Sequence, residues 1–455
     1  MNKIPNTENP KPKTVFTISL GCPKNLVDTE IMLGDLAARG WVVTDNPESA
    51  ALLLVNTCAF IQPASQEAID TILELAELKK ADPDKRLVVT GCLAQRYGPD
   101  LPNLLPEVDL FLGVNDFQNL GRLIKAEGSP QERLVAAGPW FDYAAPQPRV
   151  PVTPRYLAYL KLAEGCSHRC TFCTIPSIRG PYRSRPLATL IAEAQALAAS
   201  GVKELILVAQ DTTAYGVDWG GAPQLAALLK ELCRLPGFAW VRLLYGHPAG
   251  VTRDLLEVMA THPQVCPYLD LPIQHGDDEV LRRMGRRYSR KNLLDTFRLI
   301  REILPQAALR TTVMVGFPGE TDEHFETLLE LVEEVRFDHL GVFLYEPEEG
   351  TPAARLPNPV PRRTSQARAR RLKAAQTRLV KARLKSLVGT VQPVLVEGVS
   401  DESEYLLSGR LATQAPEIDG RVYITKGVGR VGAIQPVRLT RALPYDLLGE
   451  LAEPN

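Results

Sequence analysis

The sequence predicts an α/β multidomain protein: an N-terminal open α/β domain on a parallel sheet, a central partial (β/α)6 TIM-like barrel, and a small C-terminal OB-like antiparallel β-barrel. Three observations carry the prediction. A chain of 455 residues is too long for one ordinary core. As far as about residue 370, apolar strand-like runs alternate with helical segments, the pattern of βα units. After Leu387 the pattern changes to short alternating segments bounded by glycines and charged turns.

The first domain is expected over residues 12–128. TVFTISLG, ALLLVNT, RLVVTG and VDLFLGV read as buried parallel strands, separated by helical stretches such as NLVDTEIMLGDLAARG and SQEAIDTILELAELKK. Cys22, Cys58 and Cys92 each follow a strand end, in ISLGC, LVNTC and VVTGC. The C-terminal strand ends of a parallel sheet share one edge, where ligands bind, so the three thiols converge there. Either they hold an iron-sulfur cluster or they are three separately buried core thiols. The glycines before Cys22 and Cys92 favour the cluster, because glycine lets the backbone approach closely. The stretch EGSPQERLVAAGPWFDYAAPQPRVPVTPR that follows reads as a linker without chemistry.

The middle domain is expected over 152–370. Its strand-like runs are YLAYLKLAE, ELILVAQDT, WVRLLYGHP, YLDLPIQHG, LRTTVMVGFPGE and HLGVFLYEP, with segments of helical periodicity between them. Six units in about 210 residues fall short of the roughly 250 of a full eightfold barrel, so an open one fits better. After its first strand, Cys166, Cys170 and Cys173 stand in a C-x3-C-x2-C spacing. Three thiolates on one loop can hold three irons of a four-iron cluster and leave the fourth iron open to a small chelating molecule. A structural zinc site would want a fourth donor, and only His168 lies near in sequence. Polar residues at the other strand ends are candidates to line the same cavity: Gln210, Asp211, His247, Gln274, His275, and the run from Gly316 to Glu320. Arg179, Arg183 and Arg185 follow the cysteine loop and are candidates for carboxylate or substrate contact or for raising the reduction potential of a cluster, and each reads equally as part of a solvated basic turn. Cys233 and Cys266 lack partners at ligand spacing and read as structural.

Pro361 to Lys385 carries ten basic residues and no acidic one, on strong helix formers. Such a helix suits RNA or ribosome contact, and equally a connector packed on an acidic face. The terminal barrel, expected over 384–450, is a poor phosphate binder. Ser386 to Asn455 holds nine acidic residues against six basic, so a protein partner is the better expectation.

Bulk composition sets outer limits. Hydrophobic content of 45 %, charged content of 23 % and a net charge of −1 suit a soluble globular protein and exclude a uniformly basic nucleic-acid coat. The N-terminus MNKIPNTENPKPK is polar, the run from Val15 to Leu20 is too short for a secretion signal, and no stretch approaches a membrane span. The eight cysteines are therefore expected in a reducing cytoplasm, with no membrane contact, as ligands or buried thiols.

The loop AEGCSHRCTFC, with Phe172 before its last cysteine, resembles the signature of the radical S-adenosylmethionine (radical SAM) superfamily. With the second cysteine set, the partial barrel and the small terminal barrel, nearly the whole chain resembles the radical SAM methylthiotransferases. Those enzymes have an N-terminal methylthiotransferase domain, a radical SAM core and a TRAM domain. GCPKNLVDTE has Pro23-Lys24 where the tRNA-modifying members typically have Gln-Met. With QDTTAYG, YLDLPIQH and YDLLGE it is similar to the branch that modifies an aspartate of a small-subunit ribosomal protein.

The resemblance implies two [4Fe-4S] clusters, an auxiliary one on Cys22, Cys58 and Cys92 and the radical SAM one on Cys166, Cys170 and Cys173. It also implies S-adenosylmethionine as cofactor, a low-potential donor such as flavodoxin, a ribosomal-protein substrate and 3-methylthioaspartate as product; a monomer is the default. Many superfamily members carry a Gly-Gly-Glu-like motif where this chain has Ala209, Gln210 and Asp211, so the methionyl-amine contact is not assigned to that loop.

Overall fold

The computed structural model describes residues 13–124, 134, 135, 145 and 147–452. Most of the linker segment, residue 12 and residues 125–128 of the expected first domain lie outside them. The chain divides into two compact units, Met1–Val152 with Ser177–Arg179, and Thr153–Pro176 with Gly180–Asn455.

The first unit is a six-stranded, wholly parallel sheet in the order Val42–Val43, Thr14–Ser19, Leu52–Thr57, Arg86–Gly91, Leu110–Leu112, Leu134–Val135. Every residue of Leu52–Thr57 is buried, as expected of a central parallel strand covered on both faces. The strand order reverses between Thr14–Ser19 and Leu52–Thr57, which opens a crevice beyond their C-terminal ends.

In the second unit, the strands Leu157–Lys161, Glu204–Val208, Trp240–Leu243, Tyr268–Asp270, Ala308–Val315 and His339–Leu344 follow one another in sequence order as two parallel three-stranded sheets. A parallel bridge between Val241 and Val265, and Gly246 donating to the Asp270 carbonyl at 2.8 Å, carry the chain from one sheet to the next. Among the described residues the first and last strands do not pair, so the barrel is open. Helices between the strands cover its outside with one apolar core. Two of them start in capping boxes, Ser289 with Asn292 and Thr321 with His324.

The terminal domain is a closed five-stranded barrel, Val391–Ser400, Ser403–Leu411, Val422–Lys426, Leu447–Leu451, Ile434–Ala442. Four pairings are antiparallel, but Val422–Lys426 pairs parallel with Leu447–Leu451, a departure from the all-antiparallel expectation. That strand runs through the closing YDLLGE stretch.

The basic stretch forms the helix Arg362–Leu387. Five of its ten cations are matched by acidic partners: Arg362 with Glu346, Arg368 with Glu320 and Asp322, Arg371 with Glu326, Arg378 with Glu333, and Arg383 with Asp338. These pairs fit a connector packed on an acidic face.

The segment Arg410–Asp419 of the terminal barrel covers the N-terminal ends of the central strands. Arg410 donates to Glu204 at 2.5 Å and Arg242 to the Ala412 carbonyl at 2.8 Å. Tyr268 donates to Asp419 at 2.7 Å, and a His339 ring nitrogen lies 3.0 Å from the Thr413 carbonyl. The barrel is therefore plugged at the end opposite its cysteines. No helix of the described residues is long and apolar enough to cross a membrane.

Candidate functional site

In the first unit the three cysteines sit where the sheet ends. Cys22 is the N-cap of the helix Pro23–Ala37, and Cys92 opens the helix Cys92–Tyr97 directly after its strand. Gly21 has φ +88°, and a Cβ there would lie 2.6 Å from the Cys58 Cβ. Gly91 has φ +99°, and its Cβ would lie 2.3 Å from Asn56 Oδ1. Only glycine lets these turns close on their neighbours.

Asn25 fastens the crevice. Its Nδ2 donates to the Leu20 and Thr57 carbonyls, each at 3.0 Å, and its Oδ1 lies 4.0 Å from Cys92 Sγ. Arg179, which folds with this unit, donates to Asn25 Oδ1 and to Asp28. Burial raises the Cys22 thiol, but Lys24, Arg179 and the backbone N–H groups of Asn25 and Lys24 outweigh it, leaving Cys22 below the usual thiol value. Cys58 is pushed up to about 11 by burial and by the nearby Cys92 and Cys22. Their mutual influence places the three thiols in one electrostatic neighbourhood.

In the second unit the loop with Cys166, Cys170 and Cys173 is held from several sides. Cys166 N–H donates to the Gly180 carbonyl at 3.0 Å, and Thr171 N–H to the Met284 carbonyl at 3.0 Å. The Thr171 hydroxyl donates to the Arg283 carbonyl at 2.8 Å. Gly285 has φ +75°, and a Cβ there would stand 2.5 Å from the Arg169 carbonyl oxygen. Burial pushes Cys166 up to about 11 and Cys173 to about 12, with Cys170 adding to both and Cys166 also to Cys173. Metal binding at such thiols releases protons, which favours metal at higher pH.

His168, inside this loop, lies 2.7 Å from Asp211 Oδ2 and stacks on His247 with ring centroids 4.1 Å apart and planes at 11°. These three form the one group of His, Cys, Asp and Glu ligand atoms within 4.8 Å of one another among the described residues. A bound ion must lie in the plane of each ring it meets, and two stacked planes do not converge on one ion. His247 Nδ1 also accepts the Ala249 N–H at 3.3 Å. The group is a brace for the cysteine loop. Burial lowers His247 to about 3, so it braces as a neutral ring.

The other strand-end candidates divide by what they already bind. Gln210 donates to Glu164 at 3.0 Å while its Oε1 is buried without a partner among the described residues, an acceptor open to a donor from a ligand. Asp211 is committed, with Oδ2 to His168 and Oδ1 accepting from the N–H and hydroxyl of Thr213. Gln274 has φ +67° and its backbone bridges to the Ala308–Val315 strand. Gly316 is required by φ +82° and by Ser365, whose Oγ would lie 2.1 Å from a Cβ there. Glu320 accepts from the Gly316 and Phe317 N–H groups and from Arg368. His275 is fully buried, with Nδ1 accepting from Asp277 N–H at 3.0 Å.

Arg183 is partly exposed and donates to the Pro181 carbonyl, whereas Arg185 is buried against Glu193 and the Lys161 carbonyl. Cys266 is buried and Cys233 packs against the core. Sequence reasoning missed Asn25 and Arg286. Asn25 carried one signal, its place three residues after Cys22 beside a strand end; Arg286 lies near the end of DDEVLRRMGRR, which reads as one of the helical segments between strands.

Residues 160–332 match the Radical SAM superfamily, 14–113 the Uncharacterized protein family UPF0004, and 388–452 the TRAM domain. The chain is 49 % identical over 438 residues to the ribosomal protein uS12 methylthiotransferase RimO of Geobacter sulfurreducens, covering 96 % of this chain and 98 % of that one. It is 48 % identical to the protein of the same name from Myxococcus xanthus, over 98 % of this chain and 93 % of the other. Among solved structures, the radical S-adenosylmethionine methyltransferase TsrM of Kitasatospora setae aligns with TM-score 0.58 at 17 % identity, over 75 % of each chain. The cobalamin-dependent S-adenosylmethionine radical enzyme OxsB aligns with TM-score 0.54 at 13 % identity, over 81 % of this chain and 56 % of that one. At these identities the likeness is one of fold. Near full-length identity across bacteria, with all three domains present, places the chain in the ribosomal protein uS12 methylthiotransferase RimO family.

Proposed function

We propose that the chain is a radical SAM methylthiotransferase that replaces a β-hydrogen of an aspartate in ribosomal protein uS12 with a methylthio group, giving 3-methylthioaspartate. The observation that carries this is the pair of cysteine triplets, each at the C-terminal strand ends of its own unit, in a chain so similar to proteins of that name. Cys166, Cys170 and Cys173 would hold one [4Fe-4S] cluster and Cys22, Cys58 and Cys92 a second. When bound, the first with S-adenosylmethionine supplies a primary carbon radical able to take an aliphatic hydrogen, and the second supplies the sulfur.

The chain's own part is to hold and exclude. The His168–Asp211–His247 brace sets the loop, Gln210 offers an acceptor to the cofactor, and the plug at Arg410–Asp419 closes the far end of the barrel against water. Of the three arginines that follow the cysteine loop, the partly exposed Arg183 is the best placed for a protein substrate, since Arg179 and Arg185 are buried. A ribosomal-protein substrate sets the work in the cytoplasm, by a monomer fed from a low-potential donor such as flavodoxin.

Mass spectrometry of ribosomal proteins and tRNA from cells lacking the chain tests the substrate. A loss of about 46 Da from uS12, methylthio replaced by hydrogen, is expected. Loss from a tRNA adenosine alone would select the tRNA-modifying reading instead, which the acidic balance of the terminal barrel disfavours.

Gly21→Ala tests the second cluster by geometry. The new methyl must displace Cys58, so iron content is expected to fall from about eight to about four per chain while S-adenosylmethionine cleavage persists. Retention of all the iron would remove Cys58 from the ligand set.

A further inference from the structure

We propose that Arg286 sets the reduction potential of the cluster on Cys166, Cys170 and Cys173, acting as a positioned, uncompensated cation beside the cysteine loop. The inference rests on the reading that these three cysteines hold a four-iron cluster. Three cysteines on one short loop are a donor set that suits such a cluster, in which each thiolate takes a different iron.

Arg286 is held in place by both backbone and rings. The turn that carries it is docked on the cysteine loop through Thr171, which donates to the Met284 and Arg283 carbonyls, and through the close approach of Gly285 to Arg169. Arg286 N–H closes the turn on the Leu281 carbonyl at 2.9 Å. Its guanidinium lies 5.9 Å from the ring centre of Phe172, the residue between Cys170 and Cys173, and 5.8 Å from that of Tyr288. These distances suit cation–π contact with both rings.

Among the described residues no carboxylate lies within ion-pair distance of this charge. In the same run, RRMGRRYSR, Arg283 is matched with Glu279 and Arg290 with Glu330 and Glu334. Arg286 enters no ion pair among the described residues, and its Nε is buried without a hydrogen-bond partner.

The chemistry follows from Coulomb's law. Three thiolates on the iron core leave a net negative charge that grows when an electron enters, and a fixed cation close by favours the more negative state. Packing between two rings costs the guanidinium part of its hydration, so its field is screened less than that of a solvated side chain.

The test is an electron-paramagnetic-resonance redox titration of anaerobically reconstituted full-length protein, with the cluster identified as the one whose signal changes when S-adenosylmethionine is added. Arg286→Gln is expected to make reduction at least tenfold less favourable, a downward shift of 59 mV for one electron. Arg286→Lys, which keeps the charge, is expected to recover most of it. An unchanged midpoint in Arg286→Gln overturns the proposal, as does an equal fall in both variants, which would mark a packing role. If the Gln variant fails to load iron, the Lys variant decides: a near-native midpoint supports the proposal and a lowered one overturns it. Failure of the cluster reading itself would show separately, as a wild-type protein with no signal responding to S-adenosylmethionine.

Discussion

Replacing Cys166, Cys170 and Cys173 together with alanine is expected to remove about four irons per chain and to stop S-adenosylmethionine cleavage altogether. The loop is fastened through groups the substitution leaves alone: the backbone bonds of Cys166 to Gly180 and Thr171 to Met284, and the His168–Asp211 contact. The triple variant should therefore keep its fold while losing its metal. Cys266→Ala is the control, because that thiol is buried, outside both triplets and pushed up to about 12 by burial, so iron content should not change. The same triple change at Cys22, Cys58 and Cys92 should spare cleavage and abolish methylthio transfer. Iron content, 5'-deoxyadenosine release and product mass separate the three cases. Full cleavage by the first variant would remove that loop from the reaction.

What the sequence disclosed depended on how local the signal was. The strands and their cysteines were legible because a parallel strand is a short apolar run and its C-terminal end is marked by the next polar residue, as in LVNTC and VVTGC. The barrel was legible from repetition. Roles that depend on partners distant in sequence were not. Arg179 and Arg185 read as alike, yet one is bound to Asn25 and Asp28 and the other to Glu193. Asp211 looked available to a cofactor, but a histidine 43 residues earlier takes one of its oxygens. The basic helix had two readings because charge alone does not name its partner, and its pairs with the acidic helix Asp322–Val335 join residues 45 positions apart. Strand direction at Leu447–Leu451 is likewise set by long-range pairing, which no local pattern encodes.

Arg410→Ala is expected to destabilise the second unit by about 3–5 kcal/mol, the cost of breaking a buried ion pair by removing one partner. Glu204 is fully buried between Arg410 and Arg242, whose Nε lies 2.7 Å from its carboxylate, and Arg410 also holds Glu397 at 2.8 Å. Burial raises the Glu204 carboxyl, but the two guanidinium groups outweigh it and hold it below the usual carboxylate range. Deleting Arg410 removes the Oε2 partner and the Gln414 carbonyl contact that pins the plugging segment. Arg242 keeps its contacts to Glu204 Oε1 and the Ala412 carbonyl, so the carboxylate is left with one of its two guanidinium partners. By contrast Arg371→Ala, at a half-exposed pair with Glu326, should cost at most about 1 kcal/mol. Thermal unfolding of the two variants side by side checks the ranking, and limited proteolysis checks the location, because loss of Arg410 should expose the terminal barrel to cleavage first. If Arg410→Ala unfolds no earlier than Arg371→Ala, the buried charges do not fasten that barrel to the floor of the central one. If it does, the domain at the end of the chain is a fixed wall of the reaction chamber, and a substrate must enter from the end where the cysteines lie.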